Sequence, residues 1–149
     1  MTARRSTLHV PYTADEMFDL VADVERYPEF VPHCVALRVL ERDAEEGQGM
    51  LVAEMIVAYR AFREKFKSRV NLDKAGHRIE AIYLEGPFRK LHNIWRFIPQ
   101  ERGCEIQFSI DFEFSNLFMQ AAAGFVLEKV FAKMTDAFAA RAEKTYGAR

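Results

Sequence analysis

Cys104-Glu105-Ile106-Gln107-Phe108-Ser109-Ile110-Asp111-Phe112-Glu113-Phe114 alternates without a fault, setting cysteine, isoleucine and phenylalanine on one face and charged or polar residues on the other. Successive side chains of a strand point to opposite sides, so this stretch reads as a strand with one dry and one wet face, as in an antiparallel sheet covered on one side. The cover follows directly in the chain. From Asn116, a good N-cap residue, to Tyr146, ahead of Gly147, the sequence predicts one long helix. Its second half is amphipathic, with Leu127, Val130, Phe131, Met134 and Phe138 on one face and Glu128, Lys129, Lys133, Asp136 and Glu143 on the other. The first half differs, because Leu117, Phe118, Met119, Ala121, Ala122, Phe125 and Val126 put apolar side chains all the way around. A helix of that kind is buried on every side or touches lipid, a ligand or a partner.

Working towards the N-terminus, residues 34 to 114 read as six strands parted by turn signals at 46–49, near Arg60, and at 73–76, 86–87 and 101–103, which makes a meander. In the strand from 62 to 72, Phe62, Phe66, Val70 and Leu72 face inward together with two polar residues, Glu64 and Ser68. Residues 4 to 10 form a first strand, and Thr13 stands three residues before Glu16, the spacing of a capping box, to open a helix over roughly 14–25. Tyr27-Pro28-Glu29-Phe30-Val31-Pro32 is bounded by prolines and predicts a single turn or tight loop. The whole is an α+β domain spanning 1–149, a curved antiparallel sheet wrapped around a long C-terminal helix.

Composition narrows the function. The chain has 149 residues, 50% hydrophobic and 29% charged, enough to bury a core without disulfide or metal. Lys and Arg total 21 against 22 Asp and Glu, which argues against a dedicated nucleic-acid binder with a strong basic field, and no DNA partner is expected. Cys34 and Cys104 belong to no C-x-x-C pair and read as free buried thiols. The uncharged stretch 116–127 is far shorter than the roughly 20 residues of a membrane span, and no secretory signal is evident, so a cytoplasmic or peripheral membrane protein is expected. There is no G-x-G-x-x-G, no G-x-S-x-G and no metal-ligand spacing among His9, His33, His77 and His92. Neighbouring His33 and Cys34 point to opposite faces of an extended chain and cannot readily pair as base and nucleophile.

Thirteen phenylalanines instead suggest an interior lined with rings. Phe62, Phe66, Tyr83, Leu91, Trp95 and Phe108 converge under the long helix, where they fill a core or wall an apolar pocket; periodicity alone leaves both open. Glu64, Ser68 and Asn93 are polar residues on otherwise apolar faces, as in a pocket that orients a small ligand. Glu64 has the alternative of bonding Arg60 or backbone amides at the rim. Outward, Arg63, Lys65, Lys67 and Arg69 make a basic stripe, joined by Arg89, Lys90 and Arg96, which either pairs across strands with Glu54 and Glu80 or meets anionic lipid heads or RNA phosphates. Tyr27, Phe30, Val31 and Met119 are core residues or an apolar portal at a pocket mouth.

Tyr27-Pro28-Glu29-Phe30-Val31-Pro32-His33-Cys34, the run from Leu84 through Gly86-Pro87-Phe88 to Leu91, Trp95-Arg96-Phe97, and the Phe-rich last strand leading to Phe131 and Ala137-Phe138-Ala139-Ala140-Arg141 resemble the coenzyme Q-binding protein family, a START-like group of the polyketide cyclase and dehydrase superfamily. The resemblance covers nearly the whole chain and implies a helix-grip fold around an apolar cavity. It implies a carrier or chaperone of ubiquinone or a related polyprenyl lipid, supporting respiration and quinone biosynthesis without catalysis. No cofactor beyond the bound quinone is implied. Ser68, Asn93 or Tyr83 would donate to the quinone carbonyls, Pro87 and Phe88 would shape the cavity edge, Tyr27, Phe30 and Val31 would lie in the short-helix region, and Phe125 is expected among the ligand-binding residues. The family pattern commonly has Trp where this chain has His33. Two other functions occur in the same superfamily. Ribosome-association toxins block subunit joining, for which the basic stripe would meet the large subunit. Cyclase-type enzymes need a general acid or base, for which Glu64 and Tyr83 are the available residues.

Overall fold

The computed structural model describes residues 2–59 and 61–149, apart from the Thr2 side chain. Strand β1 (Thr2–Val10) is followed by α1 (Ala14–Ala22) and a 3-10 turn (Val24–Glu29). Then come β2 (Cys34–Glu45), β3 (Gln48–Tyr59), β4 (Phe62–Asp73), β5 (Arg78–Glu85), β6 (Phe88–Gln100) and β7 (Gly103–Phe114), and the chain ends in α2 (Leu117–Ala132) and α3 (Met134–Tyr146). All seven strands form one antiparallel sheet in the order β1-β7-β6-β5-β4-β3-β2. The helices cover its inner face, and this is the helix-grip architecture.

The local signals act as the sequence predicts. Thr13 Oγ1 accepts from Glu16 N at 3.0 Å while Thr13 N donates to Glu16 Oε1 at 2.9 Å, closing the capping box of α1. Arg149 also bonds Glu16, and the two together hold the Glu16 carboxyl down at about 2. Asn116 Oδ1 accepts from Met119 N at 2.7 Å, and Gly147, with φ +85°, stops α3. β7 buries each residue of one parity and only half-buries the other. Both cysteines are buried, and burial pushes each thiol up to about 11. Among the described residues no helix is long and apolar enough to cross a membrane.

Three boundaries differ from the sequence reading. β1 begins at Thr2 rather than at residue 4, because its pairing with β7 runs on to Phe112. The first helix stops at Ala22, and Asp23 separates it from the 3-10 turn. The single helix predicted over 116–146 is two, broken at Lys133, whose N–H bonds back three residues to Val130 O instead of four. No proline or glycine stands at that break, so the residue types do not announce it.

Rings knit helices to sheet. Phe138 of α3 is fully buried and lies edge-on to Tyr27 at 5.3 Å, Phe30 at 4.9 Å and Trp95 at 4.9 Å between centroids. Phe18 of α1 meets Phe97 of β6, and Phe131 of α2 meets Phe112 of β7. Each such pair contributes roughly 0.5–1.5 kcal/mol beyond its buried area.

Candidate functional site

The space between sheet and helices is not filled. Ala53 of β3 pairs with Ser68 of β4, and Ala81 of β5 pairs with Val70 on one side and Asn93 on the other. Three short side chains at the centre of the concave face therefore stand among the bulky Phe66, Trp95, Phe108 and Phe138. They leave a cavity of about 120 Å³ that α2 and α3 roof with Leu127, Val130, Phe131, Met134 and Phe138. Val24, Tyr27, Val31 and Pro32 close it at the 3-10 corner.

The lining is almost wholly apolar. Ser68 Oγ faces the cavity and makes no hydrogen bond among the described residues. Asn93 donates one amide hydrogen to Ser109 O at 2.9 Å, and its second hydrogen and carbonyl oxygen make no hydrogen bond among the described residues. The two stand two strand spacings apart and two residues out of register, roughly 12 Å. Tyr27 also lines the cavity, but its hydroxyl donates to Val21 O at 2.5 Å, and burial pushes its ionisation far up, so it presents only a ring. Such a site can hold an apolar molecule and fix a carbonyl or hydroxyl at Ser68 and Asn93.

Of the residues the sequence singles out, Phe66, Ser68, Phe88, Leu91, Asn93, Trp95 and Phe108 line the cavity. Four expected ligand-binding residues do not. Phe62 packs against Phe114 beyond the cavity end. Glu64 is half-buried opposite Val57 and forms no wall, and its expected partner Arg60 lies outside the described residues. Tyr83 is spent on the turn before β6, where its hydroxyl accepts from Phe88 N at 3.1 Å and its ring braces Phe88. There Gly86, at φ +147°, lies so close to Phe66 that a Cβ would stand 2.6 Å from that residue's own. Phe125 points away from the cavity, 66% exposed, with Lys129 Nζ 4.5 Å from its ring centre. The two residues named for acid or base chemistry, Glu64 and Tyr83, are thus not among those that line the cavity.

The expected portal is corrected as well. Tyr27 and Val31 are cavity wall, Phe30 is wedged between Phe138 and Arg141, and Met119 packs half-buried against the core. The exposed apolar residues at this roof are instead Leu117, Phe118 and Phe125. The expected partners of the basic stripe are elsewhere: Glu54 is buried against Arg38 at 3.1 Å, and Glu80 bonds His92 at 2.6 Å. Lys67 pairs with Glu85 and Arg89 with Glu113, whereas Arg63, Lys65, Arg69 and Arg96 form no ion pair among the described residues. Sequence reasoning did not assign the roof residues Leu127, Val130, Phe131 and Met134 to the site, although their shared helical face was evident. It also missed the small-residue cluster Ala53 and Ala81, whose signal is the absence of bulk at inward positions.

Residues 10–139 match the family described as polyketide cyclase / dehydrase and lipid transport. The chain is 37% identical over 144 residues to the ribosome association toxin RatA of Escherichia coli K12, covering 96% of this chain and 88% of that one. It is 30% identical over 141 residues to the mitochondrial coenzyme Q-binding protein COQ10 homolog B of Xenopus laevis, covering 91% of this chain and 56% of that one. Among solved structures, the 18 kDa protein CC1736 of Caulobacter crescentus superposes with a TM-score of 0.79 at 34% identity, covering 99% of this chain and all of that one.

Proposed function

Because this chain belongs to the polyketide cyclase / dehydrase and lipid transport family, we propose that it binds ubiquinone or a related polyprenyl lipid in the cavity of its concave face, and carries it at the cytoplasmic surface of a membrane in support of respiration and quinone biosynthesis. The observation that carries this reading is an apolar cavity whose free polar groups, among the described residues, are those of Ser68 and Asn93. A quinone asks for that combination, donors at its carbonyls and an apolar wall elsewhere. At about 120 Å³ the cavity is smaller than the 300–1,000 Å³ of ordinary ligand pockets, so it takes a ring or the first isoprene unit as it stands. A longer tail needs the roof to move, and α2 is joined to α3 through one non-helical residue, Lys133. The name of the Xenopus relative supports the same ligand class. The protein is a carrier in this reading, with no reaction of its own.

Mass spectrometry of organic extracts, from protein purified without detergent out of a ubiquinone-producing bacterium, tests this. The expected result is a quinone in near-stoichiometric amount that is bound about thirtyfold more weakly in the Ser68→Ala/Asn93→Leu double variant, since each of two lost hydrogen bonds removes about 1 kcal/mol. Wild-type protein that is empty, and stays empty when offered quinone in vesicles, overturns the reading.

A second reading, binding to ribosomal particles, has its own support in the names of the RatA relatives and in the outward cations Arg63, Lys65, Arg69 and Arg96, which form no ion pair among the described residues. Phosphate contacts of this kind weaken linearly in log salt. Arg63→Glu/Lys65→Glu is then expected to abolish co-sedimentation with ribosomal subunits. Absence of wild-type co-sedimentation even at low salt removes this reading.

A further inference from the structure

We infer that α2 is a membrane-docking element, which seats on an anionic lipid surface through Leu117, Phe118 and Phe125 and delivers the bilayer's apolar interior to the cavity roof. This rests on the lipid-carrying function proposed above and adds the partner and the surface that meets it. Leu117 is 89% exposed, Phe118 78% and Phe125 66%. Leu117, Ala121 and Phe125 recur at four-residue spacing and Phe118 and Ala122 flank them, so one continuous strip of the helix is bare and apolar. None of the described residues covers it. An exposed strip of that kind marks an interaction surface.

Charge decides which surface. No charged residue occurs from Phe114 to Leu127; Glu128 and Lys129 follow, both exposed, and Lys129 lies over the Phe125 ring and can reach up to headgroups while that ring is immersed. The same end of the molecule carries Arg63 and Lys65. The Phe62 ring meets Phe114 just before α2, and Ser115 N donates to Pro87 O at 2.9 Å, so the start of β4 and the β5–β6 turn flank the start of the helix. Arg63 and Lys65 are without ion pairs among the described residues. Apolar groups at the tip and unpaired cations around them complement an anionic bilayer, which offers hydrocarbon at the centre and negative charge at the surface. An RNA surface supplies the negative charge but no hydrocarbon for three bare apolar side chains. A second copy of the chain supplies the hydrocarbon but opposes cations to cations.

The other side of α2 gives the docking its use. Leu127 and Val130 are buried and wall the cavity, while Phe125, two residues before Leu127, is bare. One helix thus separates the ligand space from the bilayer. Tilting it about the Lys133 break opens a path for the lipid that never crosses water.

Flotation with phosphatidylcholine vesicles, with and without phosphatidylglycerol, tests the inference. Wild-type protein is expected to float with the anionic vesicles, less with the neutral ones, and less again in about 1 M salt, where charges are screened beyond about 3 Å. Leu117→Glu/Phe118→Glu is expected to lower partitioning about tenfold or more. Ile98→Glu, an exposed apolar position near the far end of β6, is expected to leave it unchanged. Because residues 117 and 118 lie outside the core, the double variant keeps the wild-type melting temperature. Equal flotation of wild type and double variant, or no flotation of wild type at low salt, overturns docking. So does a double variant that loses self-association or ribosome binding while its vesicle binding is unchanged. Quinone content, read in the same samples by extraction, separates the two claims. Protein that floats by this strip but never carries quinone overturns the carrier function alone. Protein that carries quinone and takes it up from vesicles at the same rate with Leu117→Glu/Phe118→Glu overturns docking alone.

Discussion

Phe138→Ala is expected to lower the free energy of unfolding by about 3–5 kcal/mol, the cost of deleting a fully buried ring when the surroundings cannot collapse. They cannot collapse here because the ring's neighbours are themselves held. Tyr27 is tied by its hydroxyl to Val21 O, Trp95 sits mid-strand in β6, and Phe30 is sandwiched against Arg141. The void also opens into the existing cavity, so no side chain is at hand to fill it. A domain of this size has some 5–15 kcal/mol in total, and the variant loses a large share of it. Urea denaturation is the measurement, with a lower midpoint and an unchanged slope as the expected outcome. A loss below about 1 kcal/mol would mean that the ring cluster does not couple α3 to the sheet.

Ala81→Phe is expected to do the reverse, abolishing ligand retention with little effect on stability. Ala81 sits on the middle strand of the concave face, beside Asn93 and across from Val70, and its methyl is one of the reasons the cavity exists. A ring grown from that position enters space already present. The usual 1–3 kcal/mol penalty for overpacking a filled core is therefore largely avoided. Retained quinone should fall below detection in extracts while the denaturation midpoint moves little. If the variant instead unfolds, the space at Ala81 is too tight for a ring and the site is a packed core. If it stays folded and still binds quinone, the ligand lies elsewhere.

These expectations show how far the sequence can be read. The strict alternation of Cys104 to Phe114, the Thr13 and Glu16 pair, and the turn glycines carry local physics that tertiary packing has no reason to overrule, and the sheet, the first cap and the element order follow from them. Phe66, Ser68, Asn93 and Trp95 were identifiable because strand parity fixes the face a residue takes. Helix facing is less determined when every side is apolar. Phe125 and Met119 sit six residues apart in α2, and nothing in their chemistry says that one turns to water while the other packs inward; the break at Lys133 resets the phase without a proline or glycine to mark it. Parity also fails for Glu64, which has the inward side of β4 but lies past the end of the cavity, because a period fixes the face and not the distance along it.

The order of the strands has a consequence for how the chain is made. β1 leaves the ribosome first, yet its partner is β7, about a hundred residues away in sequence, so the first strand finds its place only after the last has been synthesised. Until then the meander from β2 to β7 grows by neighbour-to-neighbour pairing, while β7 on arrival offers an open row of backbone donors and acceptors. Closing that row is a long-range event and therefore slow. In the interval the nascent protein has a free sheet edge beside an uncapped apolar trough, the kind of surface that invites chaperones or aggregation.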